Sequence, residues 1–254
     1  MERREFLFRS SCLNKDMHII QYGTGGVPFI GFPTQCAGAG NYEEFGVITT
    51  LSPYLEDGRM QLFCVDTVDE ESWYCEQGIN TWRSARQEDY YRHITDEVLP
   101  IVHANSPSGK KPVVMGMDMG ATHAAILFFR RPELFSGMLA LSGIYDSSYY
   151  YHGWMDSTLY DNSIECFLSN MPDDHPWIRK YNNCFMVFCC GRGPWEDKCC
   201  ETLMNLEKIL HKKRINAFVD YWGFDVSHDW QWWKHQLEYF VPHLLDQHSF
   251  ITEL

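Results

Sequence analysis

An α/β fold is predicted, with a mostly parallel central sheet flanked by helices, on three observations. Short apolar runs alternate with amphipathic stretches along most of the chain. Its 254 residues, 29.8 kDa and 45% hydrophobic composition suit one large domain rather than two. Midway, the glycine-framed turn Gly116-Met-Asp-Met-Gly120 falls where an apolar run gives way to a helical pattern. Neither internal repeats nor low-complexity linkers interrupt the pattern, so residues 1–254 are expected to form a single domain.

Taken in order, Met17-His-Ile-Ile-Gln-Tyr-Gly reads as an early strand, Val27-Pro-Phe-Ile-Gly-Phe-Pro as the next, and Leu62-Phe-Cys-Val-Asp as a third. The spacing of Tyr90, Tyr91, Ile94, Val98 and Ile101 predicts a helix from about Gln87 to Val102. Lys111-Pro-Val-Val-Met-Gly leads into the central strand, and Ala121 to Arg130 into the helix after it. Met138 to Ile144 and Phe185 to Cys190 read as strands, Cys199 to Lys212 as an amphipathic helix, Asn216 to Trp222 as the last strand, and Trp232 to Leu245 as the closing helix. The aromatic-rich stretch 146–183 follows a strand end, where open α/β sheets place their ligand crevice, and is expected to form a cap or lid.

Charge and cysteine usage exclude several classes. A net charge of −13 and a pI near 5.2 repel phosphate backbones, which excludes nucleic acid as a partner. Residues 1–10 lack the apolar core of a signal peptide, and no 18-residue apolar run offers a membrane span. The ten cysteines form no C-x-x-C pair, so free thiols in a reducing cytoplasm are expected, with no metal. Gly23-Thr-Gly-Gly lacks the G-x-G-x-x-G frame, and no cofactor is expected. His123, Trp232, Trp233 and His235 read as packing residues.

The glycine-framed turn has the form of a G-x-S-x-G nucleophile elbow with aspartate in place of serine. Such an elbow must follow a strand and open a helix, and its partners follow in the order nucleophile, acid, histidine. The loop after the strand ending at Cys190 carries Glu196 and Asp197, and the loop after the last strand carries His228, with Asp225 as a further acid. An acid would hold the imidazole tautomer of His228 while its ring faces residue 118.

The segments FPTQCAGAGNYEEFG, LFCVDTVDEESWY, FFRRPELFSGMLALSGIYD, GPWED and VDYWGFDVSHDWQWWK are collinear across residues 15 to 245. In them the chain resembles the esterase D-like branch of the α/β-hydrolases, which includes S-formylglutathione hydrolases. The resemblance implies an α/β-hydrolase fold that often forms homodimers, a small-molecule ligand, and Glu196, three residues after Gly193, as the acid. It also implies backbone oxyanion donors at Gln35, Cys36 and Met119. The departure is Asp118, where the family has serine.

An aspartate changes the chemistry. A carboxylate attacking an ester must leave a mixed anhydride well above the ester in energy, so serine-type turnover is expected to be lost. Three readings follow. Asp118 could attack an sp³ carbon of an epoxide or haloalkane, giving an alkyl-enzyme ester that His228 helps water to hydrolyse. Asp118 and His228 could together activate a water. Or the chain could be a non-catalytic binding protein on an esterase scaffold. Trp154, Trp177, Trp195, Trp230 and the Tyr149–Tyr151 run are candidates to contact the ligand, and Cys36 is an alternative nucleophile on the oxyanion loop.

Overall fold

The computed structural model describes residues 1–251, with side chains through residue 246. Eight strands form one sheet: β1 (Arg3–Ser10), β2 (Lys15–Tyr22), β3 (Val27–Phe32), β4 (Met60–Val65), β5 (Val113–Met117), β6 (Gly137–Leu141), β7 (Phe185–Cys190) and β8 (Phe218–Tyr221). Their spatial order is β1-β2-β4-β3-β5-β6-β7-β8. The β1–β2 and β2–β4 pairs are antiparallel, and every pair from β4 to β8 is parallel. Strands β3 to β6 are buried throughout, as expected where helices cover both faces.

The helices are α1 (Asn41–Glu44), α2 (Val47–Glu56), α3 (Asn80–Arg92), α4 (Leu99–Ala104), α5 (Met119–Arg130), α6 (Ser148–Tyr151), α7 (Ser157–Asp161), α8 (Ile164–Asn170), α9 (Pro176–Asn182), α10 (Asp197–Lys213) and α11 (Trp230–Ile251). Every residue of α5 from Met119 to Phe129 is buried, the polar Thr122 and His123 included, so this helix is enclosed on all sides in the middle of one layer. On α10 the buried Cys199, Leu203, Leu206 and Leu210 recur at helical spacing and form one apolar face. One core cluster joins α3, α5, α10 and the 146–183 region on one side of the sheet. The other joins α2 and α11 on the opposite side.

Four elements differ from expectation. β1, α1 and α2 were not anticipated. The predicted helix over 87–102 starts earlier, at Asn80, and passes through a π-helical stretch, His93–Val98, before α4. Residues 146–183 form the four short helices α6 to α9.

Candidate active site

Asp118 stands between β5 and α5 with φ 55° and ψ −125°, a conformation that L-residues adopt only under constraint. The constraint is close packing of the start of α5 on the end of β3. A Cβ on Gly120 would lie 2.3 Å from the Phe32 carbonyl oxygen, so only glycine permits that approach. The Asp118 N–H donates to the Leu141 carbonyl at 3.0 Å, which ties the turn to the end of β6.

The two carboxylate oxygens of Asp118 have different partners. Oδ2 accepts the backbone N–H of Gln35 at 2.9 Å, and Oδ1 faces Nε2 of His228 at 3.4 Å. The loop carrying Gln35 is fixed by two aspartates beyond β4. Asp66 Oδ1 accepts the Ala39 N–H at 2.9 Å, and Asp69 Oδ2 accepts the Cys36 N–H at 3.0 Å. The other oxygen of Asp69 meets Nε2 of His123 at 2.7 Å, with both side chains buried. His123 is therefore packed, as expected, and it also joins α5 to the Gln35 loop through Asp69. Of the expected backbone donors, Gln35 points at Asp118 and Cys36 is engaged by Asp69. Met119 opens α5 directly after the turn.

His228 and Glu196 meet because the loops after β7 and β8 are laced together. Arg192 N–H donates to Gly223 O, Gly193 N–H to Val226 O, and His228 N–H to Pro194 O. A Cβ on Gly191 would sit 2.1 Å from the Val226 carbonyl oxygen, so a glycine is required there as well. Nδ1 of His228 lies 3.6 Å from Glu196 Oε2 and 3.7 Å from Cys199 Sγ. Glu196 is fully buried, and its Oε1 accepts the Ser142 hydroxyl at 2.5 Å. That hydroxyl in turn accepts the Trp233 indole N–H at 3.0 Å, while the Trp233 ring meets His228 edge-on at 4.8 Å. Of the other candidate acids, Asp197 opens α10 and Asp225 lies on the β8–α11 loop. Both are exposed, and neither is among the described acids within 4.0 Å of His228.

Burial alone would lower the pKa of His228. Contacts with Asp118 first, then Cys199 and Glu196, outweigh it and push the value up to about 12, so the ring is an imidazolium at neutral pH. Burial pushes the Cys199 thiol up to about 11 despite the nearby His228. The Cys36 thiol is likewise pushed up to about 11 by burial, then by Asp69, Glu70 and Asp118. A thiol so protonated is a poor nucleophile.

The tryptophans do not converge. Trp230 stacks on Phe45 at 4.6 Å and meets Trp233 edge-on at 5.1 Å, one ring removed from His228. Trp195 precedes Glu196 and is 84% exposed. Trp154 stacks on Tyr151 and packs against the core. Trp177 lines a cavity of about 430 Å³ with Tyr91 and Arg130. Arg130 ends α5, whose 12 residues separate it from Asp118 by roughly 18 Å. Trp177 therefore belongs to a different place in the fold. Ser142, Cys199, Asp69 and the second role of Trp233 were not foreseen. The available signal was position, since Asp66, Asp118, Ser142 and Gly191 all follow the C-terminal ends of parallel strands, where such sheets build their crevice.

Residues 26–244 match the family described as "Putative esterase". No curated protein matches the chain. Among solved structures, a ferulic acid esterase superposes with a TM-score of 0.76 at 12% identity, over 97% of this chain and 98% of its own. An S-formylglutathione hydrolase from Agrobacterium tumefaciens gives 0.75 at 12% identity over 96% and 95%, and one from Staphylococcus aureus gives 0.70 at 12% over 96% and 96%. At these identities the likeness establishes the α/β-hydrolase fold.

Proposed function

The chain belongs to the esterase family of α/β-hydrolase proteins, and from that premise we propose that its site is an esterase site closed by its own aspartate. In this reading Asp118, His228 and Glu196 stand in the triad positions, Gln35 supplies the oxyanion N–H, and serine-type ester turnover is lost. One observation carries it: the Gln35 N–H is occupied by Asp118 Oδ2 at 2.9 Å. An ester carbonyl would need that donor as negative charge develops on its oxygen. A fixed carboxylate there both removes the donor and repels the new charge. A second hindrance is that an imidazolium at His228 has no lone pair with which to take a nucleophile's proton. Of the 146–183 helices, α6 would wall the ligand cleft, whereas α7 to α9 line the separate cavity beside Arg130.

The test is p-nitrophenyl acetate hydrolysis by the protein and by Asp118→Ser. Turnover is expected in the serine variant alone, since serine frees the Gln35 N–H and lets His228 act as base. Silence in both would mean that His228 is not the base, Glu196 not the acid, or Gln35 not the oxyanion donor. Turnover by the unaltered protein, abolished by Asp118→Asn, would end the reading of a closed site.

A second reading is favoured by the division of labour within Asp118. Oδ2 is anchored on a backbone N–H, while Oδ1 is held only by His228. Oδ1 could attack an sp³ carbon, forming a C–O bond as a carbon–halogen or epoxide C–O bond breaks. Water deprotonated by His228 would then cleave the resulting ester, which requires the imidazolium first to lose its proton. Halide or diol release from a panel of haloalkanes and epoxides, absent in Asp118→Asn, is its signature.

A further inference from the structure

Around Nδ1 of His228 the geometry is unusual for an acid–histidine pair. A single N–H donating to a carboxylate settles within about 2.7–3.2 Å of one oxygen. Here Nδ1 stands off from two neighbours almost equally, 3.6 Å from Glu196 Oε2 and 3.7 Å from Cys199 Sγ, whose thiol donates to the Ser142 carbonyl at 3.1 Å and would exchange that bond for the ion. The three ligand atoms all lie within 4.8 Å of one another. Glu196 Oε2 is moreover buried without a hydrogen-bond partner, although the other oxygen of the same carboxylate is bound to Ser142. Its charge is met by His228 across 3.6 Å, but the buried oxygen makes no close hydrogen bond and keeps a lone pair free for a ligand bond.

We propose that Glu196 Oε2, Cys199 Sγ and His228 Nδ1 form a binding site for a zinc-class divalent ion. Tetrahedral zinc takes nitrogen and oxygen at about 2.0–2.1 Å and thiolate sulfur at about 2.3 Å. With tetrahedral angles those bonds put nitrogen and oxygen roughly 3.4 Å apart, and nitrogen and sulfur roughly 3.6 Å apart. The two separations from Nδ1 exceed these by only a few tenths of an ångström, while Oε2 and Sγ, within 4.8 Å of each other, would close on the ion by side-chain rotation. The mixed nitrogen, sulfur and oxygen donor set favours zinc over the oxygen-seeking magnesium and calcium. A metal-bound histidine is ordinarily steadied by a carboxylate on its other ring nitrogen, and Asp118 Oδ1 stands there at 3.4 Å from Nε2. Aspartate at position 118 thus supplies a second-sphere partner of the kind such a ligand uses. The three residues come from two loops and one helix turn, so no spacing in the sequence announces the site.

As for any such site, the ion takes the sulfur as thiolate and the imidazole as the neutral ring, so uptake displaces protons. The inference goes beyond the loss of ester turnover and does not rest on it.

The test uses the full protein, freed of metal by chelation and reduced, titrated with cobalt(II) and followed by absorbance. One equivalent is expected to give a thiolate-to-cobalt charge-transfer band with the intense visible bands of four-coordinate cobalt. Zinc should abolish both, and a weakly buffered indicator should record protons released on metal uptake. Cys199→Ala should lose the charge-transfer band while Cys36→Ser, which removes the exposed thiol on the neighbouring loop, retains it. Circular dichroism verifies that Cys199→Ala is folded. If it is not, Glu196→Gln, which keeps the shape of the side chain, takes its place and should weaken binding at least tenfold. The proposal is overturned if the parent gives no band, if the band survives in Cys199→Ala, or if it is lost in Cys36→Ser.

Discussion

Asp118 holds a backbone conformation set by Gly120 and the end of β3, not by its own side chain, so serine and asparagine should occupy the turn equally well. What the carboxylate does change is His228. A raised histidine pKa contributes stability that is fully present below the unfolded value near 6.5 and is lost as pH rises toward about 12. Asp118→Asn keeps an acceptor for the Gln35 N–H but removes the charge. The His228 pKa should then fall by at least a unit in a ¹⁵N NMR titration of the imidazole, and the stability lost on the alkaline side should shrink. A pKa unchanged in the variant would mean that Glu196 and Cys199 hold the proton alone. At this scale the sequence revealed the glycine-framed turn and the order of acid and histidine, because both are local patterns. It concealed that Asp118 would take the Gln35 N–H while Asp69 took that of Cys36. Those contacts join residues 83 and 33 positions apart.

The π-helical turn shows how an element is shaped by a neighbour distant in sequence. Glu97, within it, gathers the Ser11 N–H at 2.8 Å, the Ser10 and Ser11 hydroxyls at 2.5 Å each, the Cys12 N–H at 3.2 Å, and His93 Nδ1 at 2.7 Å. These bonds fasten the β1–β2 turn to the helix layer. Burial alone would raise the Glu97 pKa, but the bonds from Ser10, Ser11 and His93 outweigh it and hold the carboxyl far below its usual range. A lowered carboxyl pKa contributes stability present above the unfolded value and lost as pH falls through the folded one. Glu97→Gln should therefore lower the Tm at pH 7 by several degrees, and the two proteins should converge in thermal melts as the pH drops below about 4. Curves that stay parallel down to low pH would show that the charge of Glu97 contributes nothing. The same helix explains a boundary missed in the sequence. From Asn80 to Gln87 its buried side is Arg83, Ser84 and Gln87, so the apolar periodicity that marks a helix starts only with the tyrosines. β1 was obscured because it is an edge strand, with Arg3, Arg4, Glu5 and Arg9 flanking the short run Phe6-Leu7-Phe8.

Across the whole molecule, the 146–183 helices are held by several cations, Arg130 on Asn162 and Lys213 on Met171 and Asp173 among them, and the most buried link at their start is Arg83. Arg83, 5% exposed, donates Nε to the Ser72 carbonyl at 2.9 Å and Nη2 to the carbonyls of Trp73 and Tyr150 at 2.8 and 3.0 Å. Its guanidinium also lies 4.2 Å from the ring centre of Tyr151. Arg83→Ala leaves these buried carbonyls unpaired and should cost about 2–4 kcal/mol in urea unfolding, with Arg83→Lys recovering only part. A loss under about 0.5 kcal/mol would mean that the other contacts of these helices hold them without Arg83. The fold class was legible because alternation of apolar runs and helical stretches is spread over the chain. The Arg83 link was not, since a buried arginine looks like any surface arginine in a sequence.

A serine esterase releases a carboxylic acid, and a carboxylate lingering against the oxyanion N–H and the histidine is the ordinary form of product inhibition. On the reading proposed above, Asp118 places such a carboxylate there permanently, tethered to the backbone at an effective concentration that no acid free in solution reaches. The protein thus resembles an enzyme with its product still bound. External acids should find that place taken, and whatever enters the cleft must be recognised by the groups around it.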